Sequence, residues 1–122
     1  EGTEDALNQM RSWISGHPEF DFIAVGSIED GRALGAHGAL VGAGREDSSV
    51  LVSQGCDGTA QDFIRADDPI FKGSVDYGPA LYGFNTISIA LDILNGDPVP
   101  EEFFVDHVNC EASTIDELYP AN

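Results

Sequence analysis

Positive charge is what this sequence has least of. Five Lys and Arg stand against 22 Asp and Glu in 122 residues, a formal net charge of −17, and Lys72 is the only lysine. Nucleic acid and anionic lipid surfaces are bound through clustered cations, so the composition argues against both as partners. No apolar run approaches the roughly 20 residues a membrane-spanning helix needs. No basic stretch leading into an apolar core opens the chain, so any secretory leader lies outside it. The two cysteines, Cys56 and Cys110, belong to no Cys-x-x-Cys pair, which removes the common zinc and redox spacings. They can pair only if the fold brings them together, and cysteine usage leaves the compartment open. His17, His37 and His107 are scattered over different elements and give no metal-binding pattern; no cofactor is expected. The glycine-rich stretch Gly31–Gly44 has neither Gly-x-Gly-x-x-Gly nor Gly-Lys-Ser/Thr spacing, so it is not a phosphate cradle. Its small residues point instead to close packing of a helix on a sheet.

What remains is a hydrophobic fraction of 42%, with 14 Gly and 6 Pro, in a chain long enough for one domain. The acidic bias reads as a heavily solvated surface, and a high-salt habitat would favour the same bias. Thr3, Glu4 and Asp5 open a helix carrying Leu7, Met10 and Ile14 at helical spacing, stopped by Gly16-His17-Pro18. Phe22 to Gly26 reads as a short buried strand by its continuous apolarity, and Glu29-Asp30-Gly31 as a loop. Arg32 to Ala43 is a second helix, Ser49 to Ser53 a strand, Thr59 to Ala66 a helix and Lys72 to Tyr77 a strand. Pro79 suits a helix first turn, and Tyr82 to Leu94 carry that helix to Asn95-Gly96. Phe103-Phe104-Val105 is a candidate fourth strand, and residues 114–122 form a short acidic turn that then frays.

Strands alternating with helices at this spacing predict βα units and a parallel sheet, an α/β fold class. Ligands of such sheets sit beyond the carboxyl ends of the strands. Three predicted strands end there in polar groups: Glu29 and Asp30, then Asp57, then Asp76 and Tyr77. Each has a structural explanation as well, since Asp57 before Gly58-Thr59 is a good helix cap. Convergence on one edge favours a polyhydroxylated ligand, because an ionised carboxylate accepts several hydroxyl hydrogen bonds at once.

The strings SIEDGRALGAHGALVGAGRE, VLVSQGCDGTAQDFI, GSVDYGP, ALDILNGDPVP and TIDELYP, in this order and spacing, resemble the carboxyl-terminal half of type I periplasmic solute-binding proteins, most of all the ribose-binding class. The resemblance implies two α/β lobes joined by three crossings, clamping a small sugar or polyol for a membrane ABC permease, in the periplasm or another extracytoplasmic compartment. It implies that residues 1–76 and 107–122 form part of the carboxyl-terminal lobe, and that residues 78–106 leave it at a hinge and pack in the other lobe. An amino-terminal lobe, and a strand preceding the first helix, are not in this sequence. By position, the family's ligand-binding Asn falls on Glu29 with the next acid on Asp30; its Phe-Asp-Gly-Thr falls on Cys56 to Thr59, so that Asp57 matches a sugar-binding carboxylate; its hinge Gln falls on Tyr77. Only Asp57 keeps the family residue. The implied ligand-binding set is thus Glu29, Asp30, Cys56, Asp57 and Tyr77, in a receptor and not an enzyme. Two other readings stay open: the effector domain of a lactose-repressor-class regulator, and a glycosidase using Glu29 and Asp57 as its carboxylate pair.

The helix from Pro79 places Phe84, Ile87, Leu91 and Leu94 on one face. That stripe is expected to be covered by folding back on its own sheet, by a second copy or by an amino-terminal lobe. A monomer leaving Phe84, Ile87 and Leu91 in solvent would count against placing this helix in the other lobe.

Overall fold

In the computed structural model, which describes residues 2–120, five α-helices and four strands alternate along the chain, beginning and ending with a helix, and a 3-10 helix (Glu46–Ser48) precedes the second strand. Helix α1 (Thr3–Gly16) has Glu4 and Asp5 in its first turn, where carboxylates meet the positive end of the helix dipole. Strand β1 (Ile23–Gly26) leads to α2 (Asp30–Gly42), β2 (Ser49–Gln54) to α3 (Gly58–Arg65), and β3 (Phe71–Asp76) to α4 (Pro79–Asn95). Strand β4 (Val108–Cys110) and α5 (Ile115–Leu118) complete the order.

The sheet order is β1-β2-β3-β4. The first three strands run parallel, so the carboxyl ends of β1, β2 and β3 share one edge. The fourth departs from the parallel expectation: β4 pairs antiparallel with β3, Ser74 opposite Cys110 and Asp76 opposite Val108. It is also not the strand read from Phe103 to Val105. Those residues pair with no strand, and Phe104 is 80% exposed. Aromatic and β-branched residues favour strands only where a neighbour offers a ladder, and the returning chain reaches β3 only at Val108.

The core lies between the sheet and its helices. Leu40, Leu51, Ile64, Ile70, Phe71 and Ile115 are fully buried, each side chain contributing about 1.5–3 kcal/mol by leaving water. The small residues of α2 make the expected contact with the sheet, where Ala33 and Ala36 share the core with Ile23 and Leu51, and a second one that was not expected. Ala33, Ala36 and Ala39 are buried, but a Cβ on Gly35 would meet the Thr3 carbonyl oxygen at 2.1 Å and the Leu7 nitrogen at 2.8 Å. Gly35 therefore lets α2 approach α1, a helix-on-helix contact.

Between α3 and β3, Asp68 organises the entry to the strand. Its Oδ1 accepts the N–H groups of Ile70 and Phe71 at 2.9 and 2.8 Å, and both its carboxylate oxygens lie 3.1 Å from His37 Nε2. Burial by itself raises the Asp68 carboxyl, but the Phe71 and Ile70 N–H groups and His37 outweigh it and hold the group below its ordinary value of 3.8. A lowered carboxyl stabilises the fold above its unfolded-state pKa, and that stabilisation disappears as pH falls through the lowered value. Asp68→Ala is expected to cost about 1–3 kcal/mol in urea denaturation at neutral pH, and to cost progressively less below pH ~4. An equal cost at neutral and strongly acidic pH would contradict this.

Helix α4 buries no residue. Phe84, Ile87 and Leu91 are 73%, 61% and 53% exposed, so the helix does not fold back on its own sheet. For a monomer this is the contrary result; only a second copy or another lobe reconciles it with the placement drawn from the resemblance. Apolar as it is, α4 is no transmembrane segment: among the described residues no helix is long and apolar enough to cross a membrane.

Candidate functional site

Glu29 and Asp57 stand at the shared edge as the residues preceding α2 and α3, and Asp76 ends β3 with Tyr77 next. The structure thus brings all five expected residues to the predicted end of the sheet, but not with equal access.

Asp30 lies behind the edge. It is 3% exposed, its Oδ1 accepts the Ser74 hydroxyl at 2.8 Å and its Oδ2 accepts the Asp57 N–H at 2.8 Å. The Ser74 hydroxyl in turn accepts the Cys56 N–H at 2.9 Å. Both carboxylate oxygens are therefore engaged in joining the start of α2, the β2–α3 loop and β3. This corrects the expectation that Asp30 faces a ligand: it is a buried polar node, and a fully partnered one, as such a group must be. Cys56 is corrected likewise. It is 3% exposed and disulfide-bonded to Cys110, with Cα atoms 6.3 Å apart, so its sulfur is turned into the protein. The pairing left open by the sequence is made because the antiparallel return of β4 carries Cys110 to the β2–α3 loop.

The backbone of that loop is unusual. Gly55 and Cys56 both have positive φ, +131° and +52°. Gly55 has no substitute: a Cβ there would stand 2.8 Å from Asp30 Oδ2. Cys56 holds a left-handed conformation that costs an L residue about 1–2 kcal/mol.

This loop delivers Asp57 to the edge. Its Oδ1 accepts the N–H groups of Thr59 and Ala60, each at 3.0 Å, so the helix-cap reading is correct for one oxygen. Among the described residues Oδ2 accepts no hydrogen bond from the protein, and the residue is exposed. One carboxylate oxygen is thus fixed by the fold and the other is left without a protein partner on an exposed residue. Glu29 is also open: its side chain is 52% exposed, with Oε1 3.1 Å from Arg32 Nε. Arg32 places a cation beside this strand end, a partner that sequence reading did not identify although it lies one helical turn away. Tyr77 is half-buried, its ring 5.8 Å from that of Tyr82, and it borders a groove with Gly78, Leu81, Asn85, Phe103 and Asp106.

The departure of the chain towards α4 is also held. Asp76 Oδ1 accepts the Gly78 N–H at 2.7 Å, and its Oδ2 accepts the Tyr119 hydroxyl. Tyr119 lies in the tail expected to fray. Instead Ile115 is buried and the Arg65 guanidinium donates to Asp116 and to the Tyr119 carbonyl; residues 121 and 122 of that expectation lie outside the described residues. The hydrogen bond to Asp76, then burial, then the Asp76 charge push the Tyr119 phenol up to about 12. Its contribution to stability is therefore complete below pH 10 and lost as pH rises through about 12. Tyr119→Phe is expected to cost on the order of 1 kcal/mol at pH 8, with the difference from the parent vanishing towards pH 12 in guanidinium titrations. A difference unchanged over that range would contradict this role for the hydroxyl.

The sequence matches no family model and none of the curated proteins. Solved structures match its fold. An ABC transporter periplasmic solute-binding protein from Actinobacillus succinogenes 130z with bound D-allose is 21% identical, with a TM-score of 0.82 over 94% of this chain and 39% of that one. An ABC transporter solute-binding protein from Agrobacterium vitis with bound allitol is 24% identical, TM-score 0.83, over 95% and 40%. One from Bacillus halodurans C-125 with bound myo-inositol is 21% identical, TM-score 0.81, over 95% and 39%. The part of this chain left unmatched is shorter than the 17 residues of α4, so that helix lies at least partly within the shared fold. This chain is therefore built as part of a type I periplasmic solute-binding fold, about two fifths of its full length.

Proposed function

We propose that the protein is the ligand-binding component of a sugar or polyol importer, holding its ligand between this lobe and a second one and passing it unaltered to an ABC permease from an extracytoplasmic position. The observation that carries the reading is Asp57: on an exposed residue at the carboxyl edge of the parallel strands, one carboxylate oxygen is fixed by two backbone N–H groups while the other has no partner among the described residues. A carboxylate held this way accepts sugar hydroxyls without first having to be ordered, which favours affinity. Glu29 accepts from the neighbouring strand end, and Tyr77 meets the ligand at the hinge. Asp30 and Cys56 support the site from behind. Residues 78–106 pack in the second lobe, and the disulfide suits an oxidising compartment.

A glycosidase is less well supported. The solved structures that share this fold are solute-binding proteins with sugars or polyols bound, which favours a receptor over a hydrolase.

A thermal-shift screen of the two-lobe protein tests this. At 100 times its dissociation constant a true ligand stabilises by about 2.7 kcal/mol, and D-allose, allitol and myo-inositol are the first to try. Neutral or amine-bearing sugars are expected to outrank acidic ones, because two carboxylates face the ligand and Arg32 is already paired with one of them. A uronic acid as the strongest ligand would contradict the assignment of Glu29.

A further inference from the structure

We propose that the Cys56–Cys110 disulfide is a positioning device for the Asp57 carboxylate, so that ligand affinity depends on its being oxidised; this rests on the reading of Asp57 as a ligand group. Cys56 immediately precedes Asp57 and sits at a φ of +52° that L residues avoid. What opposes its relaxation is the hydrogen bond from its N–H to Ser74, the bond from the Asp57 N–H to Asp30, the bond its carbonyl accepts from Gln61 Nε2 at 2.8 Å, and the disulfide. Rotation of Cys56 towards negative φ would turn the peptide that bears the Asp57 N–H, carrying it away from Asp30 and the carboxylate away from the α3 amides.

The disulfide closes a ring against this motion. Cys110 is the register partner of Ser74, and Ser74 accepts the Cys56 N–H, so loop, β3 and β4 brace one another through three different bonds. Strand β4 is also where the chain re-enters the sheet after α4, which ties the binding loop to the returning segment. Both cysteines are nearly inaccessible, 3% and 1% exposed, so the bond is a standing brace and not a rapidly exchanging switch.

The test combines bond breakage with Asp57→Asn in the two-lobe protein. Dithiothreitol supplies two electrons and two protons, yielding two thiols and its own cyclic disulfide; a Cys56→Ser, Cys110→Ser variant removes the bond genetically, with hydroxyls in place of the thiols. Affinity is measured by calorimetry with whichever of D-allose, allitol and myo-inositol binds most tightly. Breaking the bond should weaken binding about five- to tenfold with Asp57 present and less than about twofold in Asp57→Asn, the non-additivity expected of coupled groups. In the absence of ligand, the amide hydrogens of Asp57, Thr59 and Ala60 should exchange faster while those of Leu51 and Phe71 do not. Equal losses in both backgrounds, unchanged affinity, or loss of the fold on breaking the bond would each overturn the proposal. If Asp57→Asn has no effect in the oxidised protein, or no sugar binds, the reading of Asp57 fails instead; the amide exchange then still decides whether the disulfide holds the loop.

Discussion

Asp57→Asn in the two-lobe protein is expected to weaken sugar binding by about 1.5–3 kcal/mol, roughly 10- to 150-fold, because a hydrogen bond to a charged acceptor is replaced by one to a neutral amide oxygen. Thermal stability in the absence of ligand should hardly change. Asn caps helices as well as Asp does, and its side-chain oxygen can take over the bonds that Asp57 Oδ1 accepts from Thr59 and Ala60. The two readings of Asp57 thus separate in one variant: a cap alone gives unaltered affinity in calorimetry, and a ligand group gives a large loss with an unshifted melting temperature.

The second large effect concerns α4. Phe84→Lys together with Leu91→Lys should leave the stability of the 122-residue chain almost unchanged at concentrations low enough to keep it monomeric, since both residues are then exposed and α4 buries no residue. The same pair should cost the two-lobe protein about 3–6 kcal/mol, the burial of two large apolar side chains. In isolation the parent chain is expected to associate through this stripe, and the variant to sediment as a monomer. A parent chain that is already monomeric, with the variant harmless in the two-lobe protein, would show that α4 faces solvent and that its placement against a second lobe is wrong. Chemical denaturation and sedimentation velocity supply both readings.

Local chemistry made much of this fold legible. Glu4 and Asp5 after Thr3, Gly96 after Asn95 and Pro79 in a first turn mark helix ends through backbone preferences that act within a few residues. The apolar runs at Phe22 to Gly26 and Ser49 to Ser53 mark β1 and β2, although the burial expected of the first holds only for Ile23, with Phe22 59% exposed. Asp57 could be placed at the edge because its junction between strand and helix is local. What was not legible depends on groups distant in sequence. Asp30 looks like any loop acid, and only the arrival of Ser74 and the Asp57 amide turns it into a buried node. Cys56 and Cys110 meet because β4 runs antiparallel, which no spacing encodes. Tyr119 seemed part of a fraying end until Arg65 and Asp76 held it. Phe103 and Phe104 carry strand-like character with no strand beside them.

The most direct test of the central claim is equilibrium dialysis of the two-lobe protein against D-allose, allitol and myo-inositol, with the retained compound identified by mass spectrometry. The account predicts that a sugar or polyol is retained at one molecule per protein and recovered chemically unchanged. Retention of none, or recovery of a hydrolysed or otherwise converted product, would contradict it.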